Sequence, residues 1–412
     1  MRRAVLALAL AAVAWAPSCS STAPEQPRKP ADLKQLPVLT GEHAFVLNLY
    51  ARLKTGEENL FFSPFSITTA LAMTYAGARG NTAAQMAKAC GFDLPPERLQ
   101  PTFAALVADL TSKERKAGTY YEFLVANALW GPQGFGFRKE FLDLIEKHYG
   151  AWLRQVDFAR PEGARQSINR WVEDQTRERI KELIPSGILS DLTVLVLTNA
   201  IYFKDKWAFR FEVQLTKDEP FTLLSGRKVS VPMMHRRQEA HCKYADGPEF
   251  QAIELPYRGG DVAMVIFLPK KADGLPAFER SLAGSNLAKW LSGLAAREVV
   301  VILPRFTVTC GFRLDDALRS LGMADAFDPK QADFTGMRAE GGIWINAVLH
   351  KAFVDVNEEG TEAGAATAVE IMKSESPEEP PVFCADHPFF FLIRDTRSGT
   401  ILFMGRMMNP KG

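Results

Sequence analysis

The stretch Glu358-Glu359-Gly360-Thr361-Glu362-Ala363-Gly364-Ala365-Ala366-Thr367-Ala368-Val369-Glu370-Ile371 lies between two segments that read as strong strands, yet it resembles neither a core nor a linker. Its side chains are too small and too interrupted by glycine to build a core. They are also too apolar for an ordinary solvated linker. With period two, one face carries Thr361, Ala363, Ala365, Thr367, Val369 and Ile371, and the other Glu362, Gly364, Ala366, Ala368 and Glu370. The first face is small or apolar throughout and both charges fall on the second, as in a strand with one buried face. An alanine-rich helix competes, because alanine has the highest helix propensity. Gly360, Gly364 and the spaced threonines weaken that reading without excluding it. Beyond lies Lys373-Ser374-Glu375-Ser376-Pro377-Glu378-Glu379-Pro380-Pro381, which has the chemistry of an exposed loop. The stretch can therefore be loop or strand, with side chains that enter a sheet at low steric cost.

Outward from this stretch, the first half of the chain is mostly helical. Ser63-Pro64 reads as an N-cap followed by proline at the first helical position, leading into an apolar stripe through Ile67, Ala70, Leu71 and Thr74. Asn81 and Thr82 can start another helix ending at Cys90-Gly91. Ile168, Trp171, Val172 and Gln175 have helical spacing, with charge on the opposite face. The second half is strand-rich. Thr193 to Phe203, Val262 to Leu268 and Val299 to Val308 are β-branched runs long enough for buried strands. Phe389 to Arg394 and Thr400 to Met404 read as a hairpin across 395–399. Helices first and strands later predict an α+β fold with large, mostly antiparallel sheets.

At 412 residues the chain allows one large domain or two ordinary ones. Hydrophobic residues make up 47%, charged residues 24%, and the formal net charge is +1, which gives no reason to invoke nucleic acid or an anionic membrane. Met1-Arg2-Arg3 followed by the apolar run Ala4 to Ala16 reads as a secretory signal peptide over 1–19, too short to span a bilayer as a helix. Ala16-Pro17-Ser18-Cys19 resembles a bacterial lipoprotein cleavage site, with Cys19 the candidate lipid acceptor, although Ala16 stands where a larger aliphatic residue is usual. The segment 20–40, rich in Pro, Ser and charge up to Pro37, reads as a flexible tether. Export follows as an expectation: extracellular, periplasmic or lipid-anchored. Cys90, Cys242, Cys310 and Cys384 are far apart, with no C-x-x-C pair and no metal-ligand spacing. They read as buried small hydrophobes.

The usual marks of catalysis are missing. The sequence has no G-x-S-x-G elbow, no H-E-x-x-H, no Walker loop and no dinucleotide fingerprint. Gly131, Gly134 and Gly136 are in the wrong order for a phosphate cradle and read as a turn. His43, His148, His235, His241, His350 and His387 are scattered, and no acidic or Cys partner supports His235 and His241 as metal ligands. No enzyme, metal or cofactor is expected.

Several separated motifs carry a family resemblance. Asn59-Leu60-Phe61-Phe62-Ser63-Pro64-Phe65-Ser66-Ile67 is similar to a family motif opening a second helix, and Asn127-Ala128-Leu129-Trp130 to the strand that begins a main sheet. Thr198-Asn199-Ala200-Ile201-Tyr202-Phe203-Lys204 with Trp207 resembles the same family's central motif. Val231-Pro232-Met233-Met234-His235 and Leu402-Phe403-Met404-Gly405-Arg406 resemble later ones. Asn357-Glu358-Glu359-Gly360-Thr361-Glu362-Ala363 is similar to the hinge of its reactive loop. With these motifs in order, the chain from Gly41 to its end resembles a serpin.

The resemblance implies a single serpin domain over 41–412, with a helical N-terminal region, three β-sheets and an exposed reactive centre loop at about 358–381. It implies a suicide inhibitor of serine proteases. The protease attacks the loop as substrate and forms an acyl-enzyme. The freed hinge then inserts into the main sheet and distorts the enzyme it drags along. Serpin loop insertion is itself a standing example of strand addition and of stored strain. Insertion adds roughly a dozen ladder hydrogen bonds of ~1 kcal/mol net each and buries one loop face at about 25 cal/mol per Å². Together these reach the order of 10 kcal/mol, enough in principle to distort an enzyme held by a covalent link. The hinge Glu358, Gly360, Thr361, Glu362, Ala363, Gly364, Ala365 and Ala366 must then carry no bulky or charged inward residue, and Thr361, Ala363 and Ala365 satisfy this. Gly364, where alanine is commoner in the family, faces outward.

By the same resemblance Ser63, Ser66, Asn199 and His350 form the polar cluster under the sheet that controls its opening. Trp207 lies where the hinge would enter, and Arg305 pairs with Glu358 as a modest latch. The commonest family spacing puts the reactive bond between Ser374 and Glu375. A hinge one residue shorter puts it between Lys373 and Ser374, which suits a protease with an acidic specificity pocket. The partner implied is a serine protease in covalent complex with a monomer. Two alternatives stay open: a serpin serving as a binding or chaperone module, and a cross-class inhibitor of cysteine proteases.

Overall fold

The structure, a computed structural model, describes residues 38–111, 121–150, 153–236, 240–361 and 379–412. The helices are α1 (Val38–Leu53), α2 (Pro64–Gly77), α3 (Gly80–Cys90), α4 (Pro96–Thr111), α5 (Lys139–Tyr149), α6 (Pro161–Gln175), α7 (Leu275–Ser281), α8 (Gly284–Ser292) and α9 (Asp315–Ser320). The strands are β1 (Leu60–Phe62), β2 (Glu122–Pro132), β3 (Leu153–Val156), β4 (Val196–Lys206), β5 (Lys217–Thr222), β6 (Lys228–His235), β7 (Ala240–Asp246) and β8 (Phe250–Pro256). They continue with β9 (Val262–Pro269), β10 (Ala295–Pro304), β11 (Phe306–Arg313), β12 (Ala347–Asn357), β13 (Gly360–Thr361), β14 (Val382–Cys384), β15 (Phe389–Asp395) and β16 (Ile401–Met407). The expected signal segment 1–19 with Cys19, the expected tether up to residue 37, and residues 362–378 of the expected loop lie outside the described residues.

Helix α2 is the axle of the molecule. Ser63 caps it as expected: its Oγ accepts the Ser66 N–H at 3.1 Å, and Pro64 fills the first turn, where no N–H is needed. Every residue of α2 is buried. That fits a helix apolar around its whole circumference, and α2 packs between the sheets, against β2 and β4 on one side and β16 on the other.

The main sheet has six strands in the order β11-β12-β13-β4-β2-β3. Most neighbours are antiparallel, but β12 and β4 run parallel, Ala347–Phe353 against Val196–Tyr202. Parallel pairs are slightly weaker per residue than antiparallel ones, and this sheet has a second one at its edge, β2 with β3. Outside it lies α6, whose Ile168 and Val172 pack on Ala126, Ala128, Trp130, Ala200 and Leu349. Of the expected helical stripe, Trp171 is the rim, set edge-on against Trp130.

The other strands form the two further sheets expected, one of β1, β16, β15, β9, β8, β7 and the start of β10, the other of β5, β6, β14 and the end of β10. They are continuous through β10, which pairs with β7 along Ala295–Val299 and with β6 along Ile302–Pro304. Three expectations need correction. The run Val299 to Val308 is not one strand. It breaks at Arg305 after Pro304, and β10 and β11 enter different sheets. The tether read over 20–40 overlaps α1, which begins at Val38 and is anchored by Phe45, Val46, Leu49 and Tyr50. The loop read from 358 starts later, because Gly360 and Thr361 form a strand. The hairpin of β15 and β16 is as predicted. Cys90, Cys242, Cys310 and Cys384 are free thiols, the first two buried and the others half-buried.

Candidate functional site

The seam between β4 and β12 is closed along most of its length and occupied at one end. There β13 enters: Gly360 stands between Lys206 and Asn357, and Thr361 between Asp205 and Val356. Only glycine fits the first position, since a Cβ on Gly360 would lie 2.1 Å from the Asp205 carbonyl oxygen. Thr361 points inward and is 1% exposed. Its Oγ1 is 2.7 Å from the Tyr257 hydroxyl, whose pKa burial pushes well above the usual phenol value. The Tyr257 ring stacks on Trp207 with centroids 4.5 Å apart. Trp207 holds the turn before β13, donating its indole N–H to the Asn357 carbonyl at 3.0 Å and its backbone N–H to the Glu359 carbonyl at 2.9 Å. The carboxylate of Glu358 accepts from Thr216 Oγ1 at 2.7 Å and faces Arg305 Nη1 at 3.5 Å, while Glu359 faces Lys206 Nζ at 3.6 Å.

Further along the seam Asn199 of β4 and His350 of β12 are register partners, both fully buried. The Ser63 N–H donates to His350 Nε2 at 3.0 Å, and Ser63 Oγ donates to the Leu402 carbonyl at 2.6 Å. Ser66 Oγ donates to Asn127 Oδ1 at 2.6 Å, and Asn127 Nδ2 returns a bond to the Ser66 carbonyl at 2.9 Å. Complete burial lowers the His350 pKa to about 3, so the ring is neutral and its proton sits on Nδ1, because Nε2 is accepting. That Nδ1, together with Oδ1 and Nδ2 of Asn199, finds no hydrogen-bond partner among the described residues. Buried polar atoms left so are costly.

The structure thus brings together Ser63, Ser66, Asn199 and His350 at one point of the seam, and Glu358, Gly360, Thr361, Trp207 and Arg305 at the other. Glu362, Ala363, Gly364, Ala365 and Ala366, and the reactive-bond residues Lys373, Ser374 and Glu375, lie outside the described residues. Three contributors escaped the sequence reading. Asn127 was visible as a polar residue inside an apolar strand run. Tyr257 and Lys206 gave no local signal, for each is defined by a partner over 100 positions away. Among the described residues no three His, Cys, Asp or Glu side chains could together hold a metal ion.

A seam entered at one end by the start of a longer small-residue stretch matches the motifs quoted above, and comparison with known proteins agrees. The family profile for serpins (serine protease inhibitors) matches residues 40–410. The chain belongs to the serpin family. This serpin is 44% identical over 360 residues to the leukocyte elastase inhibitor of Bos taurus, covering 85% of the chain and 93% of the relative. It is 41% identical over 381 residues to an uncharacterised serpin-like protein of Thermococcus kodakarensis, covering 92% of the chain and 87% of the relative. The solved structure of uncleaved ovalbumin superposes with a TM-score of 0.81 at 27% identity, covering 90% of this serpin and all of that chain.

Proposed function

We propose that this serpin inhibits serine-type endopeptidases as a suicide substrate. The observation that carries the reading is β13: the hinge has already placed Gly360 and a buried, uncharged Thr361 between β4 and β12, in register with both. A hinge that begins as a paired strand has its nucleus of insertion in place, and each further residue adds ladder bonds without a new loop to close. The bovine relative is named an elastase inhibitor, which supports the same reading.

In this mechanism the protease serine Oγ attacks the loop carbonyl. The peptide bond breaks, the amine of the downstream segment leaves, and an acyl ester joins loop to enzyme. Hydrolysis of that ester competes with insertion of the residues after Thr361. The seam residues Asn199 and His350 then govern how easily β4 and β12 part, Tyr257 and Trp207 seat the hinge, and Glu358 with Arg305 latches its base. The chain is consumed rather than acting as a catalyst. The reactive bond is placed after Ser374, with the bond after Lys373 as the alternative. The serpin acts as an exported monomer, with Cys19 the site of lipid attachment if the leader is of the lipoprotein type.

Incubation with trypsin-, chymotrypsin-, elastase- and subtilisin-type proteases, and with papain-type enzymes for the cross-class case, tests this. The expected result is a serpin–protease band that survives boiling in detergent, with a released fragment beginning at Glu375 or Ser374. Cleavage without adduct across the whole panel would overturn the inhibitory reading and favour a binding or chaperone role.

A further inference from the structure

One of the scattered histidines stands at a joint between strands. The ladder between β15 and β9 ends at Phe390 and Phe267. Two residues on in the same register Pro388 stands opposite Pro269, and Pro388 has no N–H to offer. The Pro269 carbonyl instead meets His387 Nε2 at 2.6 Å, while the other ring nitrogen, Nδ1, lies 2.7 Å from Asp386 Oδ1. The His387 side chain is mostly buried and that of Asp386 is half exposed. Backbone bonds gather further strands at the same place. The Asp386 carbonyl accepts the Thr222 N–H of β5 at 2.8 Å, and the Ala385 N–H donates to the Ile302 carbonyl of β10 at 2.9 Å.

Both partners of the ring are acceptors. A neutral imidazole has one N–H and one lone pair, so it satisfies one contact and turns a lone pair toward oxygen at the other. With a second proton it donates to both. Between ring and carboxylate that proton goes to the ring, the stronger base by ordinary values, and the bond to Asp386 becomes charge-assisted. We propose that His387 is a proton-operated clasp that pins the passage from β14 into β15 against the end of β9. The clasp is closed while the ring carries both protons. When the ring loses one, a contact is lost and the three-residue β14, paired only along Val382–Cys384 with β10, loses its brace.

The other charges on the joined elements do not take over this role. Lys270, next to Pro269, pairs with Asp246 at 2.8 Å, and Glu219 of β5 pairs with Lys217 at 2.9 Å and His235 at 3.1 Å. Arg227, Glu249, Lys271 and Asp273 are exposed and screened by solvent. The Cys384 thiol, pushed up to about 12 by burial and then by Asp386 and Glu219, stays neutral.

The test uses the full chain labelled with ¹⁵N at histidine, with His387→Gln to assign the ring. At about pH 5.5 both ring nitrogens of His387 should carry protons, and one should be lost as pH rises to about 8.5, the span in which histidine changes charge. Over that span amide exchange at Thr222 and Ala385, corrected for its intrinsic rise with base, should quicken about tenfold in wild type, the scale of one charge-assisted hydrogen bond. In His387→Arg, a cation at every pH, the corrected rates should stay level. A ring that is already neutral at the acid end would overturn the clasp, as would the same corrected profile in wild type and His387→Arg. These readouts need no protease, so their failure leaves the inhibitory reading untouched.

Discussion

The two ends of the β4–β12 seam solve opposite problems with the same strands. Where β13 has entered, most polar groups of the turn have partners: Trp207 ties two carbonyls, Thr216 and Arg305 attend Glu358, and Tyr257 meets Thr361, while Glu359 Oε2 has only Lys206 Nζ at 3.6 Å. Where the strands still touch, Asn199 and His350 keep three buried polar atoms without partners among the described residues. The difference teaches that the two ends of the seam are held in different ways: the entered end by side-chain and backbone partners of the hinge, the closed end by strand pairing that leaves polar atoms of Asn199 and His350 unpartnered.

The strongest way to break this contrast is to block the open end. Thr361→Arg forces a long cation into a site that is 1% exposed and lined by Tyr257, and an unpaired buried charge there costs several kcal/mol. Boil-stable complex should disappear and the loop should be cut as ordinary substrate, with the moles of serpin consumed per protease rising at least tenfold. Unchanged inhibition by this variant would refute insertion from β13.

Next in size is the closed end, addressed through pH. The folded His350 pKa is depressed from 6.5 to about 3 by burial, so below about pH 6.5 the unfolded chain binds a proton that the folded one refuses. Stability from this group is full above that pH and is lost as pH falls toward 3, by at most about 1.4 kcal/mol per pH unit. Urea midpoints measured from pH 7 to 4 should show this loss in wild type, and a shallower one in His350→Gln. Parallel pH profiles would place the acid sensitivity elsewhere.

Two smaller effects sharpen the open end. Tyr257→Phe keeps the stack on Trp207 but deletes the hydroxyl beside Thr361. At ~1 kcal/mol for one hydrogen bond, amide exchange at Thr361 should quicken about fivefold with the core unaffected. An unchanged exchange rate would show that the backbone ladder alone holds β13. Arg305→Ala should matter least, because the guanidinium is about half exposed and 3.5 Å from Glu358. Its Tm should fall by no more than about 2 °C, consistent with a screened pair worth under ~1 kcal/mol.

Much of this was legible in the chain. The cap at Ser63-Pro64 and the β15–β16 hairpin follow from local rules, since each depends on residues within a few positions of one another. The break at Arg305 did not show, because Val299 to Val308 is uniformly β-forming and only the separate destinations of β10 and β11 split it. Tyr257 was likewise invisible: its role depends on a hydroxyl 104 residues away in sequence.

What the sequence determined by itself is that residues from Gly360 onward have side chains small enough to enter a sheet, because size and period are local properties. Only the tertiary structure decided that Gly360 and Thr361 stand between β4 and β12. That depends on Asp205 and Val356 standing the width of one strand apart at Thr361, while Asn199 and His350 stand side by side. Strand spacing is a property of two segments folded together, and neither segment carries it alone.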